Sequence, residues 1–563
     1  MLDLLVKHKA TTMTIKRILT GIHGLDGVLE GGYPTGNTTL LKGGPGTGKT
    51  VFCLCLAHSQ LSAGESAIIA TCEEAPERLV EYMDAFGFDG TAALASGRLT
   101  LIDLRPSLAE DEVVGAYELS AVLLRISHAL EQTKAKVLCV DSLQSMLLGF
   151  NRGEPRVELL RLFDWVRESG ITTLVTASLT MGTTHLDLLE EYTADCVIYL
   201  DQRIEDLLMT RYLRIVKLRG ARHGTNEYPF SLTGTGVSLL PITTTRMMED
   251  IRTGRISTGI EDIDALIGGT GYSTGSTVMF SGRSGTGKTV FVASLAAAAA
   301  RQGHRVHLIS FEESADGLVN NLKSAGIDFG SHLESGSFRI EARRAVEMGM
   351  EDHLISIINT VEREEPDLLV LDPVSSLADM GTPRQIKMLL IRFLSHIQNL
   401  GVTLLLTELL PDAAGDQSQL EVSSLADTWF RLRQVESNGE FNRMLYVVKS
   451  RGAATSNQIK EFVITDDGIR IEEPYIGDGT IEFGTTKRQR IEQDQDTLAA
   501  NQFDMEQAKE ALASLELSYE SRLKALESEF NSNKNELKRK LAELERRASE
   551  VSARREIIEK LRG

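Results

Sequence analysis

Short apolar runs alternate with longer helical stretches through most of the chain. Thr38-Thr39-Leu40-Leu41-Lys42, Ser66 to Thr71, Val137-Leu138-Cys139-Val140-Asp141 and Thr172 to Ala177 are compact and largely apolar or β-branched, as expected of strands buried on both faces. Val51 to Ala63 reads as a helix, and an amphipathic helical stretch precedes Thr172. Strands and helices in alternation predict an α/β fold with a mostly parallel sheet and its ligand at the C-terminal strand ends. From about Gly484 the β-type pattern stops. Leu537, Leu541, Leu544, Ala548 and Val551 recur at spacings of four and three, and Leu512, Leu515, Tyr519 and Leu526 form a second seam of different phase. With interspersed Lys, Arg and Glu, this predicts an α-helical coiled coil, with a stutter near Leu526 to Phe530.

The α/β pattern occurs twice. Gly43 and Gly282 open two loops of one motif 239 positions apart, and the pairs Glu73-Glu74 and Glu312-Glu313 keep that offset. Thr20-Gly21-Ile22 returns as Thr258-Gly259-Ile260, and Lys217-Leu218-Arg219-Gly220 as Lys449-Ser450-Arg451-Gly452. The run ending in Asp141 returns as Leu368-Leu369-Val370-Leu371-Asp372 at an offset of 231, so the second copy is slightly shorter. The predicted organisation is one domain over 1–246, a second over 247–485 and a helical tail over 486–563.

Charge and cysteine content narrow the partners and the compartment. A formal charge of -19 argues against a general role on nucleic acid or anionic membranes, which attract basic surfaces. Cys53, Cys55, Cys72, Cys139 and Cys196 are odd in number and lack a paired CxxC or a His at ligand spacing, the usage of a reducing cytosol rather than of a disulfide frame or zinc site. No run approaches about 18 apolar residues, and the N-terminus lacks a signal-peptide pattern; a soluble cytoplasmic protein is expected.

Candidate chemistry centres on the two loops, Gly43-Gly44-Pro45-Gly46-Thr47-Gly48-Lys49-Thr50 and Gly282-Arg283-Ser284-Gly285-Thr286-Gly287-Lys288-Thr289. Both satisfy G-x-x-x-x-G-K-[ST], in which backbone N–H groups cradle phosphates and the lysine reaches the β- and γ-phosphates. The expected ATP contacts are Gly44, Gly46, Thr47, Gly48, Lys49, Thr50 and Val51 in the first copy and Ser284, Gly285, Thr286, Gly287, Lys288, Thr289 and Val290 in the second. Thr50 with Asp141, and Thr289 with Asp372, are the expected Mg²⁺ residues. A carboxylate at the end of the strand after the loop helix can activate an attacking hydroxyl, so Glu73, Glu74, Glu312 and Glu313 are the candidate bases. Taken singly, such pairs cap the following helix; recurrence at one offset favours the catalytic role.

In this order of motifs the chain resembles the KaiC family of circadian-clock ATPases and autokinases, built from two RecA-like domains. The match covers roughly residues 15 to 475 and rests on three stretches: Glu112-Val113-Val114-Gly115 with Leu119-Ser120-Ala121, Lys217 to Phe230, and Glu421 to Thr428. The resemblance implies a hexamer of two stacked rings with ATP between neighbouring subunits. Lys217, Leu218, Arg219 and His223, and in the second ring Lys449 and Arg451, would reach the neighbour's nucleotide. It implies a slow ATPase in the first ring, autophosphorylation in the second on Ser423 and Ser424, and a small KaiB-type partner bound at the first ring around Asp111 to Leu119. The second copy departs from the first where Thr455-Ser456 stands in place of His223-Gly224, and the chain departs from the family where the acceptors are Ser-Ser and where Ala426 replaces a threonine. Arg384 is a candidate to hold the phosphorylated residue or the sheet edge. The tail is longer than is usual in that family, and its pairing would join two hexamers. Competing readings are a DNA recombinase or repair ATPase on the same scaffold and a nucleotide-gated scaffold with little turnover; the acidic charge opposes the former and the glutamate pairs the latter.

Overall fold

The computed structural model describes residues 16–105, 118–148, 155–179, 185–205, 208–240, 254–378, 380–411, 425–437, 439–453, 456–477 and 480–563. In the first copy the elements that build the site are β1 (Thr38–Gly43), α1 (Lys49–Ser62), β2 (Ala67–Thr71), α2 (Pro76–Ala85), β3 (Leu99–Asp103), α3 (Leu119–Thr133), β4 (Val137–Asp141), α4 (Pro155–Ser169), β5 (Thr172–Ser178) and α5 (His185–Thr193). They are followed by β6 (Cys196–Glu205), β7 (Leu208–Leu218), β8 (Glu227–Thr233) and β9 (Gly236–Leu239). The sheet order is β3-β2-β4-β5-β1-β6-β7-β8-β9. Strands β3 to β6 along that order are parallel and the last three run antiparallel.

The second copy repeats this with β10 (Thr277–Gly282), α6 (Lys288–Arg301), β11 (Val306–Ser310), α7 (Ala315–Ser324), β12 (Phe338–Ala342), α8 (Met350–Glu364), β13 (Leu368–Asp372), α9 (Pro383–Asn399) and β14 (Thr403–Leu409). Strands β15 (Thr428–Ser437), β16 (Glu440–Ser450), β17 (Lys460–Thr465) and β18 (Gly468–Glu472) complete it. Its order, β12-β11-β13-β14-β10-β15-β16-β17-β18, matches the first strand for strand. The fold class is thus α/β, two tandem RecA-like domains with mostly parallel sheets.

The uninterrupted apolar strands follow from burial on both faces. Leu40, Ile68 and Leu138 enter one core while their chain neighbours Leu41, Ile69 and Cys139 enter the other. Helix α1 starts at Lys49, two residues before the apolar pattern, because the turn is made at Gly48 with φ 94°, a conformation that glycine adopts without steric cost. All five cysteines are buried and free, packed as small apolar groups.

Both copies belong to one contact unit, and the predicted boundary at 246/247 falls outside the described residues. Within the unit, Leu240 at the end of the first copy is buried in the second copy's core. Glu362 on α8 accepts from His23 Nε2 and His396 Nε2, both at 2.9 Å, and Ser238 Oγ donates to Asn359 Oδ1 at 3.2 Å. Arg384, in the first turn of α9, lines a cleft of about 300 Å³ with Tyr212 and Glu227 of the first copy. The acceptor candidates Ser423 and Ser424, and the segment 111–117 expected to meet a partner, lie outside the described residues.

The second contact unit comprises Glu436–Glu440 and Pro474–Gly563. Its main element is α10 (Gly484–Lys560), a continuous helix of 77 residues. None of its residues is buried. Among the described residues no helix is long and apolar enough to cross a membrane.

Candidate functional site

Each phosphate loop joins the central strand to a helix N-terminus. Gly46 and Gly48 have φ of 75° and 94°, and Gly285 and Gly287 have 76° and 91°, so both loops adopt one left-handed pattern that turns successive N–H groups inward. Thr47 Oγ1 donates to Gly44 O at 2.8 Å, and Thr286 Oγ1 to Arg283 O at 2.9 Å. Lys49 Nζ donates to Gly43 O and Gly44 O, both at 2.9 Å. Lys288 Nζ makes the matching bonds to Gly282 O and Arg283 O at 3.0 and 2.8 Å. Burial lowers the pKa of both lysines, opposed by Asp141 and Glu73 in one copy and by Asp372 and Glu312 in the other.

The strand β4 next but one to β1 carries Asp141 into this cluster. Thr50 Oγ1 donates to Asp141 Oδ2 at 2.8 Å, and Thr176 Oγ1 donates to the other oxygen. Asp372 is held in the same way by Thr407 and Thr289. Burial pushes both aspartates above their ordinary pKa, although these hydroxyls pull the other way. A buried carboxylate beside a threonine hydroxyl, at the mouth of an N–H-lined loop, fits a Mg²⁺ ion that keeps water and phosphate oxygens as its other ligands. The cation would restore the charge of the aspartate that burial disfavours. Among the described residues no group of three or more His, Cys, Asp or Glu is placed to hold a metal.

The two glutamates of each pair are not equivalent. Glu73 Oε1 accepts from Ser142 Oγ and from Ser145 Oγ, the latter at 2.8 Å, which holds it beside Lys49 and Asp141. Glu312 Oε1 accepts from Ser376 Oγ at 3.2 Å, near Lys288 and Asp372. Glu74 instead faces Arg78 of α2 at 3.4 Å, and Glu313 accepts from Asn321 of α7 at 2.8 Å. The first glutamate of each pair therefore faces the loop, while the second serves the helix that follows.

Thr176, Ser145 and their counterparts Thr407 and Ser376 are site residues that motif reading missed. Each pair is separated by 231 positions, the offset between Asp141 and Asp372, so the repeat itself carries the signal.

The basic motif lies elsewhere. Leu218 pairs with Cys196, and Cys196 with Thr39, whereas the loop glycine Gly43 pairs with Leu200. Arg219 N donates to Asp195 O and Asp195 N to Thr38 O. Lys217 and Arg219 thus stand at the N-terminal end of β1, about 13 Å of strand from their own phosphate loop. Lys217 Nζ donates to the carbonyls of Glu191 and Tyr192 at 2.9 and 2.8 Å. Arg219 donates to Asp195 Oδ1 at 2.9 Å and Tyr192 O at 2.8 Å. Arg451 repeats the register, its N bonded to Asp427 O and Asp427 N to Thr277 O, with Arg451 Nη1 3.8 Å from Asp427 Oδ1. Lys449 has its pKa lowered by burial and by Arg451. His223 is half-buried, with Nδ1 3.2 Å from Gly224 O; Thr455 lies outside the described residues.

Two copies of a phosphate loop, a buried aspartate on a neighbouring strand and a loop-facing glutamate define a tandem RecA-like P-loop ATPase. The family model described as "ATPase: KaiC" matches residues 18–244 and 256–475, and the chain belongs to the KaiC family. It is 33% identical over 526 residues to the "Circadian clock protein KaiC2" of Synechocystis sp. (strain ATCC 27184 / PCC 6803 / Kazusa), covering 92% of this chain and 93% of that protein. It is 30% identical over 496 residues to the "Circadian clock oscillator protein KaiC" of Acaryochloris marina (strain MBIC 11017), with 87% and 95% covered.

Proposed function

We propose that this protein is a Mg²⁺-dependent ATPase and serine autokinase of KaiC type that works as a clock or timer hub. The carrying observation is the sheet register. Each chain presents Lys217 and Arg219, and again Lys449 and Arg451, at the end of the sheet opposite its own phosphate loop, so these cations serve a nucleotide only if a second copy supplies the loop. A ring of identical subunits closes such a head-to-tail contact, and the hexamer of two stacked rings is the proposed assembly, with domains 1–246 and 247–485 as its layers. Cations delivered in trans stabilise the charge on a phosphoryl group in flight.

In the first copy Glu73 orients a water and accepts its proton; in the second Glu312 accepts the proton of a serine hydroxyl. The serine oxygen then bonds to the γ-phosphorus as the bond to the β–γ bridging oxygen breaks, leaving ADP. Thr50 and Asp141, and in the second copy Thr289 and Asp372, would hold a Mg²⁺ ion, which would supply charge neutralisation for the phosphates. Ser423 and Ser424 are the proposed acceptors, and a KaiB-type protein is the proposed partner of the first ring. Pairing of α10 between hexamers is the proposed role of the tail.

The deciding experiment incubates the full-length protein with Mg²⁺ and γ-labelled ATP and maps the label by peptide mass spectrometry. Label on Ser423 or Ser424, lost in Ser423→Ala/Ser424→Ala, is the expected result. Hydrolysis without labelled protein would leave an ATPase that is not an autokinase.

A further inference from the structure

Lys42 is a buried lysine that the phosphate-loop motif does not call for. It lies on β1, directly before Gly43, and is 1% exposed. Its Nζ is 3.0 Å from Glu191 Oε1 and 3.5 Å from Glu190 Oε2, both near the C-terminus of α5. Tyr199, its register neighbour on β6, donates to the same Glu191 oxygen. The backbone carbonyl of that Glu191 accepts from Lys217, and the carbonyl of Tyr192 accepts from both Lys217 and Arg219. At its other end Lys42 adjoins Gly43, whose carbonyl accepts from the phosphate-binding Lys49. One side chain and one helical turn therefore connect the loop end of the first-copy sheet to its cation end.

We propose that Lys42 is a positioning residue, which fixes the last turn of α5 and through it sets Lys217 and Arg219 for the next subunit's nucleotide. This rests on the reading that those cations act in trans. A buried ammonium between carboxylates holds its geometry stiffly, because moving one partner away leaves a charge unpaired in low dielectric. A shift of Gly43 when Lys49 turns to a phosphate is then passed to the outgoing cations, which couples adjacent first-ring sites. The second copy has Ser281 at this register position, bonded by Trp429 Nε1 at 2.6 Å and facing the buried Arg431 on the next strand, so the lysine itself is a feature of the first copy.

The test uses full-length chains that all carry Glu312→Gln, so that first-copy hydrolysis dominates the rate. Lys42→Met is expected to lower kcat about tenfold to a hundredfold, and Lys42→Arg to restore most of it. Coexpression with Lys49→Ala chains then separates the roles. Those chains have no working loop of their own but supply intact cations to a Lys42→Met neighbour. Recovery to about fivefold above the average of the two homogeneous preparations, for a tenfold loss in Lys42→Met, supports the inference; no recovery overturns it, because Lys42 would then serve only its own loop. Arg219→Ala mixed with Lys49→Ala is the control. If that pair also fails to recover, the trans reading itself is wrong; if it recovers and the Lys42→Met mixture does not, only the role of Lys42 falls. Should Lys42→Met not fold, Lys42→Met/Glu190→Gln removes a buried charge from each side and is put through the same mixing experiment.

Discussion

Glu73 and Glu74 are chemically identical and adjacent, yet their neighbours differ. Serine hydroxyls turn Glu73 toward the loop, while Arg78 draws Glu74 toward α2. Glu73→Gln is expected to slow first-copy hydrolysis by about a hundredfold or more, the range for a lost general base, and Glu74→Gln by far less; single-turnover ATPase assays distinguish them. Glu341 offers a pH test. His307 and Arg343 outweigh its burial and hold its carboxyl down to about 2, against an ordinary 4.5. A depressed acid stabilises the fold above its unfolded pKa and loses that contribution as pH falls through its folded one. Glu341→Gln should therefore cost about 1–2 kcal/mol near neutrality, discounted for partial exposure, and its difference from the native chain should shrink from about pH 4.5 down to 2 in calorimetric scans. The partners of such residues were only partly legible: the lysines, threonines and glutamates come with a motif, but Thr176 and Ser145 become visible only when they are matched to Thr407 and Ser376 across the repeat.

Among the elements, the loop–helix junction is the most constrained. A Cβ at Gly48 would lie 3.2 Å from Leu232 Cδ2, on a backbone with φ 94°. Gly48→Ala is expected to cost about 1–3 kcal/mol of local strain and to abolish nucleotide binding at the first copy, which equilibrium binding of a fluorescent ATP analogue would report. Helix α10 poses the opposite case. Leu512, Leu526, Leu537 and Leu544 are each at least 57% exposed, and its ion pairs, such as Arg547–Glu543 at 3.0 Å, are surface pairs worth about 0.3–0.5 kcal/mol each. A helix of this length with an unpartnered apolar seam is stabilised mainly by packing on another helix. Truncation after residue 489 is expected to reduce the particle mass by more than the tails themselves; an otherwise unchanged mass in light scattering would exclude tail pairing.

At the scale of the whole molecule, two copies with one strand order carry different surroundings. Arg219 sits 2.9 Å from Asp195, whereas Arg451 lies 3.8 Å from Asp427, and Lys42 is answered by Ser281. Mutating Arg219 and Arg451 separately should accordingly affect hydrolysis and the proposed autophosphorylation in different proportions, measured as phosphate release and labelled protein from the same reaction. The duplication, the phosphate loops, the buried strands and the tail helix were all readable along the chain, because each depends on residues close in sequence or on their recurrence. Tertiary structure alone decided which glutamate of each pair faces the loop, what holds Asp141, and that Lys217 and Arg219 stand at the end of β1 opposite their own phosphate loop. Those facts depend on strand register and on contacts such as Thr176–Asp141, Ser142–Glu73 and Thr50–Asp141, between residues 35 to 91 positions apart, which local hydrophobic periodicity does not encode.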